Sequence, residues 1–425
     1  RRLFEVGTQR QLEGVLAHSG RDGRQAQKRR ARRERARTVV VVRSKPRDMN
    51  RRSVLAMLGS VSLAGCSALP DQSSEPVTLS APDGQWTQFA GSPERRRQAT
   101  ASSVSVPAEA TGVVDLGVQS TAAPVLDGST ALFPTEESLV GVDLSDRTTD
   151  FEYDVEGLPT QPPARSGSIV AVQVGERLEG HSLDTGERLW RETVTRGARD
   201  GTAPAAFADH VLVHGGHDLR LLAADTGTER WRTGGGETTS GIRAFAGDTD
   251  RLVANRYGGE TSTVVAYDPA TGEETWQVEI ESSPTRPLVG DAVYLVSKFG
   301  RLVAVADGTV QWRVETGGQY PADVALADDI AVVAARTDDS VVGVSLSAET
   351  VVWETSVEFV RSVVTVGDSA FVAGGNAGIV ELDVATGTER RRHADARFAE
   401  NLTPTPEGLL FTRATDSRAF LVPTA

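Results

Sequence analysis

The sequence predicts an all-β chain: an eight-bladed β-propeller of four-stranded antiparallel blades, closed by a strand from the N-terminal side. Three observations predict it. A turn-and-aromatic unit recurs about every 40 residues, a propeller-blade period. Between its copies lie short apolar runs of strand length, and no stretch carries a helical period. The unit reads Leu183-Asp184-Thr185-Gly186 to Trp190, then Ala224-Asp225-Thr226-Gly227 to Trp231. Next come Tyr267-Asp268 through Gly272 to Trp276, and a shortened Ala306-Asp307-Gly308 to Trp312. A degenerate copy ends in Trp353, and another holds Asp383 and Gly387 but ends in Arg390-Arg391-Arg392. Val142 to Asp146, ending in Phe151, fits the frame less well. The five Trp positions are spaced by 41, 45, 36 and 41 residues.

Each part of the unit has a physical reason. Asp is expected to fold its carboxylate onto nearby backbone N–H groups, and Gly supplies the positive φ of a tight turn. The aligned Trp residues are expected between blades rather than under a cofactor. Runs such as Val293-Tyr294-Leu295-Val296 and His210-Val211-Leu212-Val213-His214 read as strands. One four-stranded sheet cannot bury both faces alone, so the units must pack radially. Blade openings fall near Ala123, Pro162, Pro204, Gly241, Pro284, Ala322, Ser362 and Thr403. The eighth blade ends too soon for an outer strand, and residues 113–118 are expected to supply it, leaving no open sheet edge at the seam.

The stretch from Ala266 to Trp276 carries the pattern A-x-D-x-x-T-G-x-x-x-W and resembles the PQQ-type β-propeller repeat. Trp86 to Pro93 is similar to that family's lead-in to the first blade, so the resemblance covers roughly residues 86 to 425. It implies two kinds of function. Quinoprotein dehydrogenases of this type bind pyrroloquinoline quinone and calcium, commonly with adjacent cysteines over the cofactor, a catalytic Asp and carboxylate or amide calcium ligands. No cysteine follows Cys66, and no position accepts those ligands or that Asp, so no catalytic, cofactor or metal residue is assigned. Non-catalytic members, among them the propeller lipoprotein of the outer-membrane barrel assembly machinery, bind other proteins.

The sequence ahead of the repeats reads as an address. Residues 1–48, with the basic run Arg21 to Arg37, read as an extension upstream of a start at Met49. Residues 49–65 have the order of a signal peptide: a charged end, a short apolar segment and a small-residue processing site. Arg51-Arg52 followed by Ser-Val-Leu resembles a twin-arginine export signal. Leu63-Ala64-Gly65-Cys66 resembles a lipobox, with Cys66 the single cysteine of the chain and the expected lipid attachment. The apolar run of about a dozen residues falls short of the roughly 20 that span a bilayer. Residues 66–85 then read as a polar tether.

Charge divides the chain in the same place. Up to Gly65 lie 17 of the 45 Lys+Arg and 5 of the 58 Asp+Glu, which leaves 28 against 53 beyond it. Lys298 is the one lysine after Cys66. Such an acidic, Lys-poor body suits high salt, where screening acts within about 3 Å at 1 M. It excludes a nucleic-acid partner, which needs a basic face. His214-Gly215-Gly216-His217 with Asp218 is the one metal-like spacing, an ordinary polar turn being the plainer reading. His181 and His393 stand alone, and Asn401-Leu402-Thr403 matches an N-glycosylation acceptor. The expectation is an exported propeller, lipid-anchored on the outer face of the cell membrane. There it would bind or scaffold protein partners without a cofactor. A quinone-dependent enzyme using calcium, or a sugar- or peptide-binding surface protein, is the alternative.

Overall fold

The structure, a computed structural model, describes residues 76–99, 113–159, 161–194, 202–233, 241–283, 285–337 and 339–423. Among these residues the strands form eight antiparallel four-stranded blades in a ring. Blades 1 to 7 span residues 125–154, 164–193, 205–232, 242–281, 288–315, 321–356 and 362–393. The predicted openings fall within four residues of the inner strands. Blade 8 takes three strands from the C-terminal part, Ala399–Thr405, Gly408–Arg413 and Arg418–Pro423, and its outer strand from Val114–Gln119. That outer strand pairs Val114 with Leu421 and Asp115 with Phe420, so the ring closes by joining early and late sequence.

Burial explains why the runs look as they do. Middle strands such as His210–His214 and Val293–Val296 lie between two neighbouring blades and are buried on both faces, so they are continuous apolar runs. Outer strands such as Thr309–Glu315 alternate between exposed residues and part-buried or buried ones. The core is a series of layers between blades. Ala246, Val253 and Val264 of blade 4, for example, pack on Val293, Leu295 and Val303 of blade 5.

A bulge recurs between the third and fourth strands of blades 1 to 7, beside the aromatic position. It re-aims the side chain toward the next blade. Trp190 lies flat on Gly180 of its own blade, where an added Cβ would come within 2.1 Å of the ring. Its indole N–H donates to the Ala224 carbonyl of blade 3 at 2.6 Å. Trp231 donates to Pro269 O at 2.9 Å and Trp353 to Val384 O at 2.7 Å. Gly227, Gly272 and Gly387, at positive φ, pass beneath these rings. Trp276 and Trp312 are only part-buried. Asp307 and Gly308, both at positive φ, make a tight two-residue hairpin, and a Cβ added to Gly308 would come 3.1 Å from the Cβ of Trp276 rather than over its ring.

Two details differ from expectation. In blade 1 the aromatic role is divided: Phe151 covers Gly141, while Tyr153 donates to Leu183 O at 2.7 Å and covers Gly186. The two rings stack at 4.4 Å. The turn aspartates are also not equivalent. Asp268 and Asp383 accept backbone N–H bonds from Ala270 at 2.7 Å and from Thr386 at 2.9 Å. The backbone pairing that places them there puts Ser182 and Ala223 at the same point in blades 2 and 3. Asp184 and Asp225 sit two residues later as exposed carboxylates. Asp268 and Asp383 stand four residues before their turn Gly and Asp184 and Asp225 only two, so matching Asp to Asp misaligned them.

Candidate functional site

Every inner strand runs in the same direction, so the two ends of the ring differ. One end carries the first and third turns of each blade; the other carries the second turns and the connections between blades. The segment 86–99, whose part from Trp86 to Pro93 reads as the lead-in to the first blade, lies at the first end and runs on past that blade. It visits seven blades in order. Trp86 O accepts from Leu126 N of blade 1 at 2.9 Å, and Thr87 O from Arg165 N of blade 2 at 2.8 Å. The Gln88 amide takes both backbone groups of Ala206 in blade 3. Pro93, Glu94, Arg96 and Arg97 carbonyls then accept from Gly247, Val289, Leu326 and Thr365 of blades 4 to 7, at 2.9–3.0 Å. Gln98–Ala99 ends as a short parallel strand on Ser362–Val366. Trp86, Ala90, Arg95 and Arg97 hold positive φ in this strap, a strain of about 1–3 kcal/mol each that the ring must over-determine.

The strap fills the axis with its own side chains. The Phe89 ring is approached by the guanidinium groups of Arg95, Arg97 and Arg286 at 5.5, 5.3 and 5.1 Å. Fully buried Arg95 donates to Phe89 O at 2.6 Å and to Ala203 O at 2.7 Å. Asp323, buried beside them, pairs with Arg97 at 3.0 Å and with Arg286. It also accepts from Val324 N and Val363 N, each at 3.1 Å. Calcium is held by six to eight oxygens, several of them carboxylates. A carboxylate already engaged four times among guanidinium groups is the wrong donor set. The residues on this axis therefore do not fit a calcium-bound quinone.

The other end is a rim of loops joined to one another. Tyr320 N donates to Lys298 O at 3.1 Å, Thr337 Oγ1 to Gln319 O at 2.7 Å, and Phe359 N to Asp339 Oδ1 at 2.7 Å. Gly375 N donates to Glu358 O at 3.1 Å and Phe398 N to Gly375 O at 2.9 Å. This arc over blades 5 to 8 presents three large aromatic side chains to solvent. Phe299 is 47 % exposed, Tyr320 58 % and Phe359 62 %. Tyr320 and Phe359 stand at positive φ, so the backbone turns them outward. Nothing in the repeat spacing marked them, because they lie in the variable loops.

The remaining candidates are placed as follows. His214 is buried with Nε2 3.0 Å from Gly216 O, His217 is exposed, and Asp218 faces Arg232 at 3.5 Å. Burial pushes the His214 imidazole below its usual range. Among the described residues no group of three or more His, Cys, Asp or Glu is placed to hold a metal ion. His181 is paired with buried Glu179 at 3.2 Å, and the Asn401 amide donates to Thr412 Oγ1 at 2.9 Å. Arg51, Arg52 and Cys66 lie outside the described residues.

Fold and rim together define a β-propeller with one strapped end and one end of joined loops. A family model described as outer membrane protein assembly factor BamB matches residues 260–405. The chain is 28 % identical over 192 residues to outer membrane protein assembly factor BamB of Burkholderia pseudomallei (strain K96243), covering 42 % of this chain. It spans about half the length of that relative, 48 %. Among solved structures it is similar to BamB from Moraxella catarrhalis, with TM-score 0.58 and 16 % identity over 74 % of this chain and 98 % of that one. It is also similar to quinohemoprotein alcohol dehydrogenase from Comamonas testosteroni, with TM-score 0.62 and 13 % identity over 80 % and 81 %. These two likenesses show the fold.

Proposed function

We propose that this chain is a non-catalytic, protein-binding propeller of the cell envelope, exported by the twin-arginine signal at Arg51-Arg52 and held to the outer face of the cell membrane by lipid on Cys66. The observation that carries the binding role is the arc of Phe299, Tyr320 and Phe359 on hydrogen-bonded loops. Three exposed aromatics held on one rigid rim are the residue type that dominates protein interfaces. The likeness of residues 260–405 to an assembly factor supports the same reading, since this stretch contains all three. Fold alone would serve a dehydrogenase equally well, and the strapped axis speaks against that use.

The strap end also receives the incoming chain. Val77 N donates to Ala270 O at 3.1 Å, and Ser80 O accepts from Ala208 N at 2.9 Å, both in turns of that end.

Photo-crosslinking residues placed at 299, 320 and 359 should give a discrete protein adduct in cells, and the same residues at the exposed turns of Asp184 and Asp225 should not. Equal adducts from both ends would defeat the rim assignment. The anchor is tested separately: Cys66→Ala should abolish incorporation of labelled fatty acid and release the chain from membranes.

A further inference from the structure

Beside the strap, between blades 5 and 6, lies a cavity of about 260 Å³. Its wall is formed by Arg96 and Gln98 of the strap, Asp291 and Tyr294 of blade 5, and Leu326 and Asp328 of blade 6. The strap both builds and orients it. Arg96 O accepts from Leu326 N at 2.9 Å, and Arg96 Nε donates to Val289 O at 2.5 Å, so the guanidinium is braced across both blades. Gln98 Nε2 donates to Asp328 Oδ1 at 3.3 Å. Gly290 keeps the space open. A Cβ there would come within 3.2 Å of Tyr294 and 3.6 Å of Leu326, so a larger side chain would fill the cavity.

The charges are arranged for a ligand carrying both signs. With Nε engaged, the two terminal nitrogens of Arg96 remain for a carboxylate, which a guanidinium takes in a bidentate pair. Asp291, exposed on its turn, and Asp328 supply acceptors for an ammonium group. We infer that this cavity binds a small zwitterion of the free α-amino-acid class, with its carboxylate on Arg96 and its ammonium on Asp291 and Asp328. Size and polarity both favour this occupant. Pockets for drug-sized ligands run to about 300–1,000 Å³, and this one is smaller. An apolar ligand would pair none of the three charges, and a singly charged one would pair only Arg96 or only the carboxylates. The inference does not rest on the protein-binding rim, which is at the opposite end of the ring.

The test is isothermal titration calorimetry of the full chain with each proteinogenic free L-amino acid. The tightest binder is then compared with its N-acetyl and its carboxamide derivatives, each of which removes one charge. At least one free amino acid should bind, and each derivative should bind at least about tenfold more weakly. Asp291→Asn, on an exposed turn, should weaken binding by a similar factor with unchanged melting, and Gly290→Val should abolish it. No heat with any amino acid, derivatives binding as tightly as the parent, or full binding by both variants would each overturn the assignment.

Discussion

Trp353 of blade 6 donates its indole N–H to the Val384 carbonyl of blade 7 at 2.7 Å, and Gly387 of the same blade-7 turn passes beneath its ring. An added Cβ on Gly387 would fall 2.5 Å from that ring, and one on Gly343, in the neighbouring strand of the same blade as Trp353, would fall 2.1 Å from it. One side chain thus joins two blades, and the glycines of the repeat are the space it needs.

Trp353→Ala should therefore cost about 3–5 kcal/mol in urea unfolding, the usual range for deleting a buried aromatic. Trp353→Phe keeps the stacking and leaves the Val384 carbonyl without its donor, so it should cost about 1 kcal/mol. A smaller loss for the Ala variant than for the Phe variant would contradict the clasp.

Asp323 ties two guanidinium groups on the axis, so Asp323→Ala leaves buried positive charge unpaired. A loss of about 3–5 kcal/mol is expected, typical of breaking a buried pair from one side. Guanidinium chloride unfolding of the full chain measures it. A loss below about 1 kcal/mol would mean the axis tolerates the charge.

Removing residues 113–118 takes most of the outer strand from blade 8 and opens the ring at its seam. The whole ring should melt at lower temperature, because the exposed edge and the lost pairing destabilise every blade that depends on closure. Calorimetry showing the original cooperative melt would refute this.

Burial pushes the imidazoles of His210, His214 and His393 below their usual range. In the unfolded chain each takes up a proton near pH 6.5, whereas the folded chain resists until lower pH. The unfolded state then binds more protons as pH falls through that interval, so stability drops on acidification and is complete above about pH 7. Melting temperature measured from pH 8 to pH 5 should fall, and His393→Leu should make the fall shallower. A flat profile for the parent chain would contradict it.

If the acidic surplus beyond Gly65 is an adaptation to salt, melting should rise from low salt to molar KCl as repulsion is screened. Equal stability at both would remove that reading.

The sequence by itself determined the repeating parts. Trp190, Trp231 and Trp353 recur because each blade solves the same packing problem, and periodic constraints leave periodic residues. The closing strand was legible for a related reason: the last repeat lacked a strand, and an unassigned apolar run stood ahead of the first. Tertiary structure decided what is not periodic. Asp184 and Asp268 stand two and four residues before their Gly, and only the backbone pairing tells which of the two positions begins the turn. The strap was invisible because its partners lie in seven blades spread along the chain, and Arg95 and Arg97 look like any charged loop until Phe89 and Asp323 surround them. The rim of Phe299, Tyr320 and Phe359 and the cavity at Arg96 arise in the same way. Each brings together residues from segments with no common pattern, and only closure of the ring places them within reach of one another.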